Sequence, residues 1–162
     1  MINRILVTVD DSRAALAAAR LAVELAGRLH ARVLAVHVLQ DHLLSDLVAS
    51  SSARPDVARR RDAAAGSVLE HVVRLGDRAP GVEVEGRLTE GDPAPAVLAE
   101  ARAWNADLLV VGRSARTGVG EPYMGKTVLH VLEFAEIPVL VVPSPGGQDT
   151  RWRSPTLPAD TS

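Results

Sequence analysis

The sequence predicts a single doubly wound α/β domain, in which a parallel sheet carries helices on both faces. Short runs of β-branched and other apolar residues alternate along the chain with longer segments of helical periodicity. The apolar runs are nearly continuous, which is typical of parallel strands that are covered on both sides. The chain has 162 residues, 47% of them apolar, which is enough for one compact core.

Composition excludes several classes of function. The chain contains no cysteine, so thiol catalysis, thiolate zinc sites and disulfide bonds are ruled out. Its net charge is -2 and both signs are interspersed, whereas a nucleic-acid-binding protein needs a basic face. The N-terminus lacks the pattern of a signal peptide, and no apolar run approaches the ~20 residues of a membrane span. We therefore expect a cytoplasmic protein that binds neither nucleic acid nor membrane.

The first strand and helix have the clearest local signals. Residues 5–9 form a short β-branched run, and Asp10, Asp11 and Ser12 end it with residues that favour a helix N-cap. Helical spacing continues over residues 14–29. The positions expected to face the sheet are Leu16, Ala19, Val23, Ala26 and Leu29. Residues 32–39 then predict a second buried strand.

The middle of the chain has weaker patterns. Residues 40–55 are polar and end in a proline, which predicts a loop. Asp56 caps a second predicted helix that runs to about Gly76 and exposes the basic residues 59–61. The residues expected to face the sheet are Val57, Ala64, Val68, Val72 and Leu75. Residues 82–88 alternate apolar and polar side chains, which favours a strand near a sheet edge.

The last third contains two more strands. Residues 90–93 form a turn, with Asp92 as N-cap and Pro93 at the first position of a third helix that runs to about Trp104. Strands are predicted over residues 107–111 and 137–142. The chain between them comprises a long loop that Gly112 opens and a helix over residues 126–135. Pro138 favours a strand end or an edge strand, and residues 144–162 have the composition of a disordered tail. The predicted domain therefore covers residues 1–143.

The segments that follow the predicted strands indicate where a ligand would bind. In doubly wound sheets, ligands bind beyond the carboxyl ends of the strands, where the strand order reverses. Three segments follow predicted strands at that edge, namely residues 10–12, 37–40 and 112–127. We expect the functional site to be built from them.

These segments also carry a family resemblance. The first strand ends in V-D-x-S from Val9, the second in H-V at His37, and the fourth runs into Gly112. Together with G-D-P-A over residues 91–94 and P-V-L-V-V-P over residues 138–143, they resemble the universal stress protein family. The resemblance extends from residue 5 to residue 143. It implies a Rossmann-like fold with a five-stranded parallel sheet in the order 3-2-1-4-5.

Family members that bind ATP carry the motif G-x2-G-x9-G-[ST] between the fourth strand and the fourth helix. Gly112 and Gly125 match its first and last glycines, while Ala115 stands at the second glycine and Lys126 at the hydroxyl position. The spacing is preserved, so the resemblance implies a substituted nucleotide site. The candidate contacts to an adenine nucleotide are Asp10, Val38, Gly112, Ala115, Gly125, Lys126 and Thr127.

Each candidate has a chemical rationale. Lys126 brings positive charge to a helix N-terminus, which already favours an anion, and Thr127 supplies a hydroxyl one residue later. Ala115 either adopts a negative φ or carries strain of roughly 1–2 kcal/mol. Asp10 would repel phosphates, so we expect it to accept from ribose hydroxyls or the adenine amino group. Val38 would contribute only backbone groups, and Mg²⁺ or Mn²⁺ would sit on the phosphates.

Several alternatives remain open from sequence. Asp10 could also be a cap or an acceptor from loop N–H groups, although the resemblance favours a contact to the nucleoside, and Gly125 is equally well explained as a tight turn. Residues 120–127 match the Walker A pattern G-x4-G-K-[ST], but eight residues separate them from the strand, whereas a P-loop follows its strand directly. His37 is interpreted as a satisfied strand histidine. The five histidines show no metal-ligand spacing, so we expect no metal site. No Ser or Cys partner can be assigned to His37, so we expect no catalytic residue.

The resemblance supports two functions of different classes. The first is a stress-response regulator that binds ATP or a related adenine nucleotide and is at most a slow ATPase, because no residue near the loop is a convincing general base. The second is a dimeric interaction module of the same fold that has lost nucleotide binding. Family members commonly form dimers through the last strand, so we expect a homodimer through residues 137–142 in either case.

Overall fold

The computed structural model describes residues 1–40, 54–113 and 125–145, with only the backbone of residues 54–61. These ranges contain five strands and four helices. In chain order they are β1 (Arg4–Thr8), α1 (Arg13–Leu29), β2 (Arg32–Leu39), α2 (Arg54–Asp77), β3 (Val84–Glu90), α3 (Pro93–Trp104), β4 (Leu108–Arg113), α4 (Lys126–Phe134) and β5 (Val139–Pro143). None of the described helices is long and apolar enough to cross a lipid bilayer.

The five strands form one parallel sheet in the order β3-β2-β1-β4-β5, which confirms the predicted order. In the centre of the sheet, Leu6 of β1 lies between Leu34 of β2 and Leu109 of β4. The chain leaves β1 towards β2 and β3, and then crosses back to β4. The carboxyl ends of β1 and β4 therefore flank the point where strand order reverses, and β3 and β5 form the two edges.

Two apolar layers hold the helices to the sheet. Ile5 and Val7 of β1 pack with the buried face of α1 and with Val72 of α2. Leu6, between them in sequence, points to the opposite face and packs in the layer that includes Val97 of α3. This alternation follows from the two-residue repeat of a strand, and it explains why the strands read as continuous apolar runs.

The buried face of α1 includes three of the five predicted positions, namely Ala19, Val23 and Ala26, but not the two leucines. Leu16 is only half-buried and Leu29 is 41% exposed. The residues that face the sheet are mostly alanines, namely Ala14, Ala15, Ala18, Ala19, Ala22, Val23 and Ala26. Small side chains allow the helix axis to approach the sheet closely. The helix is therefore rotated so that its alanines face the sheet and its larger leucines do not.

The second helix begins earlier than predicted and is rotated by one position. It starts at Arg54, so Pro55 lies in its first turn, where a missing N–H breaks no helical hydrogen bond. Val72 is buried as predicted, whereas Ala64 is exposed and Val68 and Leu75 are half-buried. The other positions buried along this face are Ala65, Leu69 and Gly76. Val57 was predicted to be buried and residues 59–61 to be exposed. Their side chains lie outside the described part of the structure.

Strands β3 and β4 end at different residues from those predicted, because pairing with neighbouring strands determines where a strand ends. The structure places β3 two residues later than predicted, where it pairs with β2 as far as Glu90 opposite Leu39. Gly112 does not open a loop: β4 continues through Arg113, which lies opposite Pro143 of β5. The predicted loop beyond residue 40 and the predicted tail lie mainly in residues 41–53 and 146–162, outside the described part.

An ion-pair cluster attaches the edge strand β3 to α3. The guanidinium of Arg87 donates to Glu85 at 2.6 Å and to Glu100 of α3 at 2.9 Å. Hydrogen bonds to Glu85 and then Glu100 raise the pKa of Arg87 above its usual value, against the opposing effect of burial. The cation is therefore retained at any ordinary pH, and the cluster helps to fix α3, whose N-terminus borders the site.

Candidate functional site

A cavity of about 450 Å³ opens at the carboxyl ends of the central strands. Its volume falls within the range of small-molecule sites, roughly 300–1,000 Å³. It lies where the sequence predicts a site, because its lining includes residues at the carboxyl ends of β1, β2 and β4. The residues that line it are Thr8, Val9, Asp10, Val36, His37, Val38, Gln40, Pro93, Val97, Val111, Gly112, Gly125, Thr127, Val128 and Val131.

The turn between β1 and α1 presents a carboxylate to this cavity. The backbone N–H of Ser12 donates to Asp10 Oδ1 at 2.8 Å, and the Ser12 hydroxyl accepts from the N–H of Ala15 at 3.1 Å as the N-cap of α1. The carboxylate of Asp10 is thus oriented through one oxygen by the cap of the helix that follows. It remains solvent-exposed on the cavity wall.

The end of β2 forms the adjacent wall. The ring Nδ1 of His37 lies 2.8 Å from the carbonyl oxygen of Val9, so Nδ1 carries the proton and donates to it. The N–H of Val9 in turn donates to the carbonyl of Val36 at 2.9 Å. His37 therefore has the hydrogen bond expected of a satisfied strand histidine, and it also lines the cavity together with Val38.

Gly112 lies on the wall formed by β4, where the first turn of α1 approaches it closely. A Cβ atom at this position would lie 2.6 Å from Ala14 C and from Ala15 N, and 2.7 Å from Ala14 O. These are backbone atoms, which cannot move aside without displacing the helix. Gly112 is therefore required by helix-to-strand packing, in addition to its place on the cavity wall.

The N-terminus of α4 forms another wall of the site. Gly125 is its N-cap with φ -60° and ψ 154°, and a glycine has no side chain to accept from the N–H groups of the first turn. Thr127 lines the cavity, whereas Lys126 is exposed and is not among the lining residues. The first turn contains no acidic residue, so its N–H groups and the charge of Lys126 favour an anion.

The interior of the cavity is mainly apolar. Pro93 and Val97 of α3 form part of it, and Val128 and Val131 of α4 form another part. The polar side chains of Asp10, His37, Gln40 and Thr127 are distributed around this apolar surface. An apolar slot with a carboxylate on one side and a helix N-terminus on another suits a flat, partly apolar ligand that carries an anionic group.

The structure brings most of the predicted site residues together. Asp10, Val38, Gly112, Gly125 and Thr127 line the same cavity, and Lys126 adjoins it. Ala115 and the first residues of the Walker-like stretch lie outside the described residues. No group of three or more potential metal ligands occurs within the described ranges.

Sequence reasoning missed the apolar lining contributed by α3 and α4. The G-D-P-A signal over residues 91–94 located the start of α3, but it did not show that Pro93 and Val97 would face the site. The available signal was their spacing, because residues four positions apart lie on the same face of a helix. Their role depends on the sheet bringing α3 and α4 side by side.

Comparisons with known proteins agree with this architecture. The profile of the Universal stress protein family matches residues 1–143. A solved structure of a universal stress protein family member from Burkholderia pseudomallei is 27% identical, with 88% of this chain and 96% of that chain covered and a TM-score of 0.68. No curated protein matches the sequence.

Two more distant structures contain nucleotides and are similar in fold. The universal stress protein from Archaeoglobus fulgidus in complex with dAMP is 22% identical, covers 88% of this chain and 99% of its own, and has a TM-score of 0.63. A family protein from Arabidopsis thaliana with AMP bound is 20% identical, covers 88% and 92% respectively, and has a TM-score of 0.66.

Proposed function

This chain belongs to the universal stress protein family, and from that premise we propose that its cavity binds ATP or a related adenine nucleotide. In this proposal the protein is a cytoplasmic stress-response regulator. The observation that carries it is the cavity itself, an apolar slot between the Asp10 carboxylate and the N-terminus of α4. The structures of similar fold that hold AMP and dAMP support an adenine nucleotide as the ligand class.

The proposed orientation follows from charge. The triphosphate is placed at the N-terminus of α4, where Gly125 permits close approach, Thr127 offers a hydroxyl and Lys126 adds positive charge. Asp10 would repel phosphates, so it is placed at the nucleoside end, where its carboxylate accepts from ribose hydroxyls or from the adenine amino group. The base occupies the apolar slot and contacts the backbone of Val38.

Any divalent ion is expected to arrive with the nucleotide. The described residues do not form a group of carboxylates and histidines that would hold a metal by themselves. Mg²⁺ or Mn²⁺ would therefore sit on the phosphates, which is the usual way that Mg²⁺ reaches nucleotide sites.

We propose that regulation relies on binding and that hydrolysis is slow or absent. The described cavity wall carries two groups that could accept a proton, the carboxylate of Asp10 and Nε2 of His37, whose Nδ1 donates to Val9. In the proposed orientation neither group lies at the phosphate end, where a general base would be needed to activate water. A nucleotide that binds one conformation more tightly than another is sufficient to regulate a partner.

Lys126→Ala is expected to weaken ATP binding by about tenfold, because it removes a charge that would form a charge-assisted hydrogen bond with a phosphate. The measurement is isothermal titration with ATP and Mg²⁺, on protein shown by ultraviolet absorbance to be free of nucleotide. Lys126→Arg is the matched control and should retain most of the affinity. Absence of binding heat for the wild type at millimolar ATP would exclude the nucleotide function.

The edge strand β5 supports a second candidate function, a homodimeric interaction module. Its first three residues, Val139, Leu140 and Val141, are only half-buried in the monomer. Leu129 of α4 is 52% exposed and Leu132 is 40% exposed, while the inner face of α4 packs in the same apolar layer as β5. We propose that two copies pair β5 antiparallel and cover these apolar residues, with or without nucleotide.

The double change Leu129→Glu and Leu132→Glu is expected to raise the dimer dissociation constant at least roughly tenfold, because it places charge where apolar surface would be buried. Sedimentation velocity over a range of protein concentrations measures this shift. Leu29→Glu, at a 41% exposed leucine on α1, is the matched control and should leave the dimer intact. A wild type that stays monomeric throughout would rule out the dimer.

A further inference from the structure

The geometry points to His37 as a positioning residue that holds Asp10 in the orientation needed for nucleotide binding. This inference rests on the function proposed above, and it goes beyond the interpretation of His37 as a satisfied strand histidine. It assigns to the ring a task at the site, carried out through the backbone of Val9 and not through contact with the ligand.

The hydrogen bonds around Val9 explain how the ring acts. The regular pairing of β1 with β2 ends where Thr8 lies opposite Val36. Val9 is the next residue, and its N–H donates to the carbonyl of Val36 at 2.9 Å. Its own carbonyl accepts from Nδ1 of His37 at 2.8 Å. The side chain of His37 therefore extends the attachment between the two strands by one residue, beyond the end of the ladder.

That carbonyl belongs to the same peptide plane as the N–H of Asp10. A peptide unit is rigid, so a hydrogen bond to its oxygen also fixes the direction from which the chain enters Asp10. On the other side, Oδ1 of Asp10 accepts from the N–H of Ser12 at 2.8 Å. Asp10 is thus held from two directions, by His37 through Val9 and by the cap of α1 through Ser12. Loss of either attachment would allow the carboxylate to turn.

The choice of variants follows from where the donor lies in the ring. The amide nitrogen of asparagine lies close to the place of Nδ1, so His37→Asn retains a donor to Val9. The amide of glutamine lies one bond further out, and leucine has no donor. We therefore expect His37→Leu and His37→Gln to lose affinity for ATP by about threefold to tenfold, the value of one ordinary hydrogen bond, and His37→Asn to stay within about twofold of wild type.

A double-mutant cycle with Asp10 separates positioning from general destabilisation. ATP affinity is measured by isothermal titration for wild type, His37→Leu, Asp10→Ala and the double variant, with thermal melting to confirm that each is folded. Because His37 acts through Asp10, His37→Leu should cost about threefold to tenfold in the wild-type background and less than about twofold once Asp10 is alanine. A residue with only a structural role would give the same loss in both backgrounds.

The other possible results distinguish failure of the positioning role from failure of the nucleotide function. Equal losses in the two backgrounds, or no loss in His37→Leu, would overturn the positioning role and leave the nucleotide function standing. A wild type that binds no ATP would overturn both. If His37→Leu does not fold, the comparison of His37→Asn with His37→Gln decides, and equal affinity of these two variants would contradict the proposal.

Discussion

Gly112→Ala is expected to lower the free energy of unfolding by about 3 kcal/mol and the melting temperature by roughly 10 °C. The new Cβ would lie 2.6 Å from backbone atoms of Ala14 and Ala15, well inside contact distance. Because these atoms belong to the first turn of α1, relief requires a shift of the whole helix away from β4. Such a shift would disturb the alanine-rich face on which α1 packs against the sheet.

Thermal and urea unfolding of the purified variant measure this loss. Gly66→Ala is the matched control, since a Cβ there meets no described atom within 4 Å and the position lies inside α2. Alanine is favoured over glycine in helices, so this control should stabilise the protein by up to about 1 kcal/mol. A Gly112→Ala variant as stable as wild type would show that α1 can move away from β4 at little cost.

Gly125→Val is expected to reduce ATP affinity by at least roughly tenfold while the fold remains intact. A Cβ at Gly125 meets no described atom within 4 Å, and its φ of -60° is open to any residue. The added methyl groups would instead occupy the side of the cavity where we place the phosphates, and would keep them from the N–H groups of α4. The cost to stability should stay near 1 kcal/mol, the penalty of a poorer N-cap residue.

Isothermal titration with ATP and Mg²⁺, paired with thermal melting, tests this separation of affinity from stability. Gly125→Ala is the control, since its single methyl group should cost less affinity than valine. Unchanged affinity in Gly125→Val would remove the phosphate role from this glycine and leave it as a turn before α4. A large loss of stability would show that residue 125 is constrained by packing.

The two glycines therefore have different physical roles, although the motif treats them alike. Gly112 is constrained by the backbone of α1, within the protein. Gly125 is unconstrained within the described protein, and its proposed constraint is the ligand. Spacing along the chain cannot separate these cases, because only the folded structure shows what lies against each Cα.

Local signals predicted those elements whose ends are encoded by their own residues. Asp92 and Pro93 placed the start of α3, and the helix ends at Trp104 as expected. Ser12 caps α1 through its hydroxyl, as N-cap residues do. The alternation of such elements was enough to predict a parallel sheet, and the family resemblance supplied the strand order that the structure confirms.

Helix rotation was predicted less well, since it is decided by what each helix packs against. In α1 the central predicted positions face the sheet, but alanines on either side of them are buried in place of Leu16 and Leu29. In α2 the buried face includes Ala65 and Leu69, one residue later than expected. The same reason separates Thr127, which lines the cavity, from its neighbour Lys126, which does not.

By itself, the sequence determined the order of strands and helices along the chain, the caps of α1 and α3, and the edge of the sheet at which the cavity lies. Each of these depends on contacts between near neighbours in the chain or on a strand's two-residue repeat. Only the tertiary structure decided that Pro93, Val97 and Val128 would join Asp10 around one cavity. It also showed that His37 holds the carbonyl of Val9. These contacts join residues far apart in sequence, so they exist only once the sheet has brought its strands and helices together.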